Sequence, residues 1–317
     1  MKPINADGND EQAKSMIHDI FAKLECRNVF MLVDEVYIKA SWQFRNGHVI
    51  GYSLDQPSIL ARTVLTFMIK PLIGKSFVLK LFPVHCLSGE FLLHCFQWAL
   101  EILHSESVNC LGLICDNNRV NRRFINLVSN DSFLHPNSFI TSHPLDASRP
   151  FFFLIDSIHL MKSLRNNWIT EPTKSLKITL KEDSFVANWS DIIRIFNSEH
   201  MSSLRRTKIS HAAVFPRSIE KQKVSLVFEV FNEKVAGCLR LVSLNSTSQF
   251  IGYFSKLFNI LNVKTPVAGK NLKDEDRHPF QSVNDIRLQF LLEAAQVIKD
   301  MGHSSGHGAK RCQQFIG

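Results

Sequence analysis

Two strand-like stretches constrain this chain more than anything else in it: VFMLVDEVYIKASWQF at 29–44 and CLGLICDNNRVNRRF at 110–124. Each is an apolar run that ends in a single aspartate, Asp34 in the first and Asp116 in the second. A carboxylate set in such a run is costly to bury unless something pairs with it. On neighbouring strands the two would form an acidic notch suited to a hard divalent cation such as Mg²⁺, which prefers oxygen ligands. That is the equipment of phosphodiester cleavage and joining by two metal ions. A plainer role is open as well: an aspartate at a strand end often only caps the next turn, and Asn117-Asn118 suits that role after Asp116.

The order of segments points to an α/β layer architecture. Strands are expected at 28–39, 41–53, 76–84 and 108–116, and a strand or short helix at 61–69. Asn46-Gly47 is a strong hairpin signal, although a turn at Ala40–Ser41 also fits. Residues 88–105 read as a helix capped by Ser88, with Phe91, Cys95, Trp98, Ala99 and Ile102 on its apolar face. Glu90, His94, Gln97, Glu101 and His104 then share a solvated face. A second helix at 118–129 carries Arg119, Arg122 and Arg123, and a loop over 130–150 leads to the apolar run 151–155.

Leu160, Met161, Leu164 and Trp168 share one helical face, with Lys162, Arg165 and Asn166 pointing elsewhere. From about 170 the texture is helical, notably over 190–201, 223–242 and 247–262. A last helix follows an S-x-x-D capping box at Ser282 and Asp285 and ends at Gly302. The domains expected are a loose lead-in at 1–27 that can hold a short helix around 16–24, a core at 28–170, a mainly helical domain at 171–302 and a tail at 303–317.

Composition narrows the partners. With 37 Lys and Arg against 29 Asp and Glu, the net charge of +8 suits a polyanion. The 7 cysteines form no Cys-x-x-Cys pair and read as reduced thiols, which fits a nuclear or cytosolic protein. The apolar runs are too short to span a bilayer, so no membrane partner is expected. Gly74-Lys75-Ser76 is not a phosphate loop, because Ile69 stands where that motif needs glycine.

Taken in order, the motifs resemble the P element transposases and their vertebrate THAP-domain relatives. VDEVYIK with NGHVIGYSLD is similar to the family's first strand and hairpin, and CLGLICDNNRVNRRF to its second acidic strand and following helix. FFLIDSIHLMKSLRNNW is similar to its D-x-x-H-L-x-K-x-x-R-N-N segment; TKISHAAVFP, KQKVSLVFEVFNEKVAG and FSKLFNILN follow in the family's order. The resemblance covers roughly 28–300. It implies an RNase H-like mixed sheet with helices, followed by a mainly helical GTP-binding insertion. It further implies that Asp34 and Asp116 belong to a three-carboxylate site for Mg²⁺ or Mn²⁺ acting on DNA. Glu35 faces the other side of the strand and is a poor ligand.

In the insertion the resemblance places Lys208, Lys223, Val224, Phe258 and Asn262 where the family contacts guanine nucleotide. Lysines suit phosphates, and an Asn amide can read a base edge or the ribose. Lys208 and Lys223 as solvated side chains and Phe258 as core filler is the competing reading. Two positions depart from the family pattern: Asn232 stands for a serine and Asn259 for an aspartate. The family's DNA-reading zinc module is not expected in residues 1–27, which hold only Cys26. Its third carboxylate lies beyond the insertion, and the chain is expected to stop before it; Glu293 is not promoted in its place. The functions in view are a metal-dependent transposase or nuclease, or a non-catalytic module for DNA and guanine nucleotide. Either is compatible with a homo-oligomer.

Overall fold

A computed structural model describes residues 9–45, 47–129, 139–202, 205–263, 265 and 267–303. Asn46, the first part of the 130–150 loop, Cys312 and the expected tail from 304 onward lie outside the described residues. The chain divides into two compact units, at 1–156 and 157–317.

The first unit is built on strands β1 (Asn28–Tyr37), β4 (Thr63–Pro71), β5 (Phe77–Val84), β6 (Asn109–Cys115), β7 (Ile140–His143) and β8 (Asp146–Ile155). They form one mixed sheet in the order β5-β4-β1-β6-β8-β7, with β1, β6 and β8 parallel and the rest antiparallel. Helices α1 (Asn9–Phe21), α2 (Gly89–Ser105) and α3 (Arg119–Ser129) bury their apolar stripes against one face. Period-two alternation shows which face that is. Val29, Met31 and Val33 of β1, and Leu65, Phe67 and Ile69 of β4, are buried there. The short helix of the lead-in forms as α1, begins earlier than 16 and ties residues 9–21 into this core through Ala13, Ile17 and Phe21. Ser88 caps α2 by accepting from Phe91 N at 3.1 Å, and the expected polar face of α2 is exposed.

Between β1 and β4 rises a separate two-stranded hairpin, β2 (Gln43–Arg45) with β3 (His48–Ile50). Arg45 pairs with His48, so the two strands close beyond Arg45 rather than at Ala40–Ser41.

The second unit opens with α4 (Ser157–Thr170), which the sequence reading grouped with the first domain. Its buried Met161, Leu164 and Trp168 belong to the second core. A sheet of β9 (Ser175–Leu180), β10 (Asp183–Asn188) and β11 (Gly302–His303) follows where helical texture was expected. Helices α5 (Trp189–His200), α6 (His211–Val214), α7 (Ser225–Phe228), α8 (Glu233–Leu241), α9 (Asn245–Leu261), α10 (Ala268–Leu272) and α11 (Ile286–Asp300) complete it, with a 3₁₀ turn at Glu220–Gln222. Trp168 anchors this core, its ring 5.0 Å from Trp189 and 4.7 Å from Phe250.

The expected helix over 223–242 breaks at Asn232, whose side chain accepts from Val235 N and starts α8 afresh. Asp285 is itself the N-cap of α11, while Ser282 Oγ accepts from Asn284 N in the preceding turn. Gly302 lies just past the Met301 cap and enters β11.

Gly112 is the tightest point of the large sheet. A Cβ there would stand 2.1 Å from the carbonyl oxygen of Phe152 on β8 and 2.9 Å from the Phe30 ring on β1. Gly112→Ala is therefore expected to cost about 1–3 kcal/mol in urea unfolding, as overpacking does. Gly237→Ala, in α8 with open space around it, should be neutral or stabilising by about 1 kcal/mol. Equal midpoints for the two variants would contradict the described pairing of β6 with β8.

Candidate functional site

The sheet's register determines where the two aspartates lie. Val29 pairs with Cys110, but Phe30 pairs with Gly112, so β6 carries one extra residue at that point. After this bulge the pairs are Met31 with Leu113 and Leu32 with Ile114. Continuing the same register sets Asp34 abreast of Asp116, two residues beyond the last pair. Laterally paired residues share a sheet face. That register gives both aspartates the face opposite the helices, Asp116 just past the end of β6 and Asp34 within β1, three residues before its end. The carboxyl ends of parallel strands are where open α/β sheets bind ligands.

The two carboxylates have different surroundings. Asp34 is exposed, and its Oδ1 accepts from Glu35 N at 2.8 Å. Asp116 is half-buried, and its Oδ1 accepts from Asn118 N at 3.2 Å and from Asn121 Nδ2 at 2.6 Å. Asn118 in turn accepts from Asn121 N at 2.8 Å, capping α3. The capping role open for Asp116 is thus real, but it uses Oδ1; Oδ2 has no protein donor among the described residues.

Sequence reasoning passed over Asp156. Cys115 pairs with Ile155, and Asp156 N donates to Cys115 O at 2.9 Å, so Asp156 follows β8 abreast of Asp116. The signal was in plain view: FFFLID is a third apolar run ending in aspartate. Oxygen donors of this kind fit a hard divalent cation. Among the described residues, however, no three His, Cys, Asp or Glu side chains stand close enough to close on one ion.

In the second unit three of the five nucleotide candidates, Lys223, Val224 and Phe258, meet at the short helix α7. Lys223 and Val224 lead into it, and Phe228 at its end stacks on Phe258 of α9 at 4.2 Å. Asn262 caps α9, its N–H donating to Phe258 O at 2.9 Å. Lys208 is exposed, two residues before Ser210, whose N–H donates to Glu229 Oε2 at 2.9 Å just past α7. Phe258 is buried and also lines an almost wholly apolar cavity of about 240 Å³ with Leu160, Met161 and Ala294. That cavity offers little to a phosphate.

The two departures from the family pattern have local work. Asn232 Nδ2 donates to the carbonyls of Phe228 and Glu229 at 2.9 and 3.0 Å, which joins α7 to α8. Asn259 donates to Asp274 and accepts from Arg277.

The loop before Lys223 is held from α4. Arg165 Nη2 and Asn166 Nδ2 both donate to Lys221 O, at 2.9 and 3.1 Å, and Lys162 Nζ reaches Gln222 Oε1 at 3.4 Å. Arg165 does not point away from the core as the sequence reading had it; it is fully buried. Its Nη1 has no hydrogen-bond partner, and burial pulls its pKa down with no carboxylate opposing that. At the start of the loop Arg217 donates to Glu220 at 2.8 Å, holding that carboxyl down at about 2.

Comparisons with known proteins agree with this division. Residues 8–129 match the TNP-like RNase H N-terminal domain, and residues 158–275 match the TNP-like GTP-binding insertion domain. The Transposable element P transposase of Drosophila melanogaster is 27% identical over 171 residues, a stretch covering 50% of this chain and 21% of that relative. The solved Drosophila P element transposase strand transfer complex superposes with a TM-score of 0.73 at 17% identity, over 97% of this chain and 69% of that one. It shares the fold.

Two outcomes are expected for the 220–224 loop. Arg165→Met removes a charge-assisted donor worth about 1.5–3 kcal/mol, so hydrogen exchange there should quicken roughly 10- to 100-fold. The global transition should move less, because an apolar side chain replaces a buried charge. Glu220 has a lowered folded pKa, so its contribution is complete above its ordinary 4.5 and is lost as pH falls through about 2. Exchange measured from pH 5 downward should report that loosening, and Glu220→Gln should abolish the pH dependence.

Proposed function

Because the chain belongs to the P element transposase-like family, we propose that it acts on DNA, with Asp34 and Asp116 holding Mg²⁺ or Mn²⁺ for phosphodiester cleavage and strand transfer. The observation that supports this reading is the bulged register, whose continuation past Leu32–Ile114 would bring the two carboxylates abreast on one sheet face. A divalent cation bound there would polarise the phosphoryl oxygens and make an attacking water or 3′-hydroxyl more acidic. The chain's own residues supply placement. Asn118 and Asn121 fix the Asp116 carboxyl through Oδ1 and leave Oδ2 for a ligand. Asp34 is paired with Thr66 of β4, two residues past the last β1–β6 pair, which holds its backbone in place. Arg119 and Arg122 on α3 add positive charge just after Asp116, suited to the backbone of a DNA strand. Acting on chromosomal DNA would place the protein in the nucleus.

The second unit is read as a guanine-nucleotide module. Lys208 and Lys223 would contact phosphates, Val224 and Phe258 would provide an apolar seat, and Asn262 would read the base or ribose. A second function is favoured by one observation: among the described residues no third carboxylate joins the pair closely enough to hold an ion. In that case the chain binds DNA and guanine nucleotide without cutting DNA.

Nicking of supercoiled plasmid with Mn²⁺ or Mg²⁺ separates the two. The enzyme reading expects nicking that falls about 100-fold or more in Asp34→Asn and in Asp116→Asn, the loss typical of a misplaced catalytic geometry. It also expects weaker Mn²⁺ binding by spin resonance in both variants. Nicking that persists in both would reject it. Salt-sensitive DNA retention without nicking, unchanged by either substitution, would establish the binding module.

A further inference from the structure

The hairpin β2–β3 and its flanks expose aromatic side chains that nothing in the first unit covers. Tyr37 is 82% exposed, Trp42 62%, Phe44 69% and Tyr52 45%. Phe44 lies on β2 with Val49, itself exposed, as its cross-strand partner, and Trp42 stands just before the strand begins at Gln43. The base of the hairpin is pinned. Gly51 has φ +116°, and a Cβ on it would stand 2.3 Å from Ser41 O, so the two legs touch through backbone alone. This presents the aromatic face without a side chain behind it at that point.

Two observations identify what the face meets. From 36 to 54 the chain carries Lys39, Arg45 and His48 and not one acidic residue, an unusual bias for a surface arm. Exposed aromatics among positive charges are how proteins take up single-stranded nucleic acid, since every base has a π-face and every nucleotide a phosphate. The location agrees. Tyr37 lies three residues beyond Asp34 on β1, about 10 Å of strand. The arm therefore springs from the same strand end as the candidate cleavage centre. A second copy of this chain is a poorer fit, because it would bring two positively charged arms together.

We propose that the hairpin is a base-stacking arm, which takes unpaired bases of a DNA strand running past the Asp34 end of β1. Trp42 and Phe44 supply the stacking surfaces, and Lys39 offsets part of the strand's charge. This rests on the reading that the chain acts on DNA, but it needs neither metal nor cleavage.

The test uses Trp42 as its own reporter, since Trp168 and Trp189 are buried and Trp98 is packed under Lys80. The full chain is titrated with single-stranded oligothymidylate in EDTA, following tryptophan emission and the anisotropy of the labelled oligonucleotide. Emission should be quenched on binding, and Trp42→Phe should lose most of that change while keeping affinity. Trp42→Ala and Phe44→Ala should each weaken binding roughly 10-fold, with an unaltered thermal transition because both side chains are exposed. Wild-type affinity in both alanine variants would overturn the arm while leaving DNA binding intact. Persistent stacking with nicking indifferent to Asp34→Asn and Asp116→Asn would keep the arm and sink the cleavage reading. A dimer in sedimentation that Trp42→Ala dissociates, with no oligothymidylate effect, would assign the face to a second copy and overturn the proposal.

Discussion

One irregularity in strand pairing decides whether the first unit has a site at all. Without the extra residue between the Val29–Cys110 and Phe30–Gly112 pairs, Asp34 would stand abreast of Cys115. Asp116 would then point to the helix-covered face, because side chains alternate along a strand. The slip brings Cys110, Leu113 and Cys115 into one core and releases Ile114 and Asp116 to the other side. Gly112 permits it, since any side chain there would meet Phe152 and Phe30. Bulges next to functional sites commonly re-aim a side chain, and this one re-aims a whole strand end.

The second unit has a comparable dependence on a few polar contacts. Three residues of α4 converge on the turn before Lys223, through Lys221 O and the Gln222 side chain. A fully buried guanidinium without a carboxylate is a costly way to hold a carbonyl. It makes sense where the loop it fixes must keep one geometry. The D-x-x-H-L-x-K-x-x-R-N-N stretch thereby gains a physical account: its Lys, Arg and first Asn form the clamp. Trp168, closing the same helix, ties it into the aromatic core through Trp189 and Phe250.

Much of this was legible in the residues, and the gaps have physical causes. Apolar runs, the Ser88 cap and the pattern of α2 located the layers of the first unit, because those signals are local. The bulge was invisible, since only the partner strand defines register. Arg165 was misread because helical spacing reports direction, whereas its burial comes from the loop at 221 folding over it. The β9–β10 hairpin was missed in SLKITLKEDSFVANW: alternation there is short, and the surrounding helical texture drowned it. Asp156 was passed over because its run was attached to the helix that follows. In space it completes β8.

The two readings of Asp116 need not compete. A carboxylate at the N-terminus of a helix is stabilised by the free N–H groups and the dipole there. That stabilisation also fixes the group's position, and fixed position is what a metal ligand needs. Oδ1 is committed to Asn118 and Asn121, so the torsions that aim Oδ2 are already fixed in the free protein. Asp34 has no such tether beyond the neighbouring N–H of Glu35, and its side chain is exposed. A divalent cation arriving at this strand end would therefore meet one preset oxygen and one adjustable carboxylate. A third contribution would have to come from Asp156, from water or from another part of the assembly. The asymmetry explains how one aspartate can stabilise the fold while both remain available for chemistry.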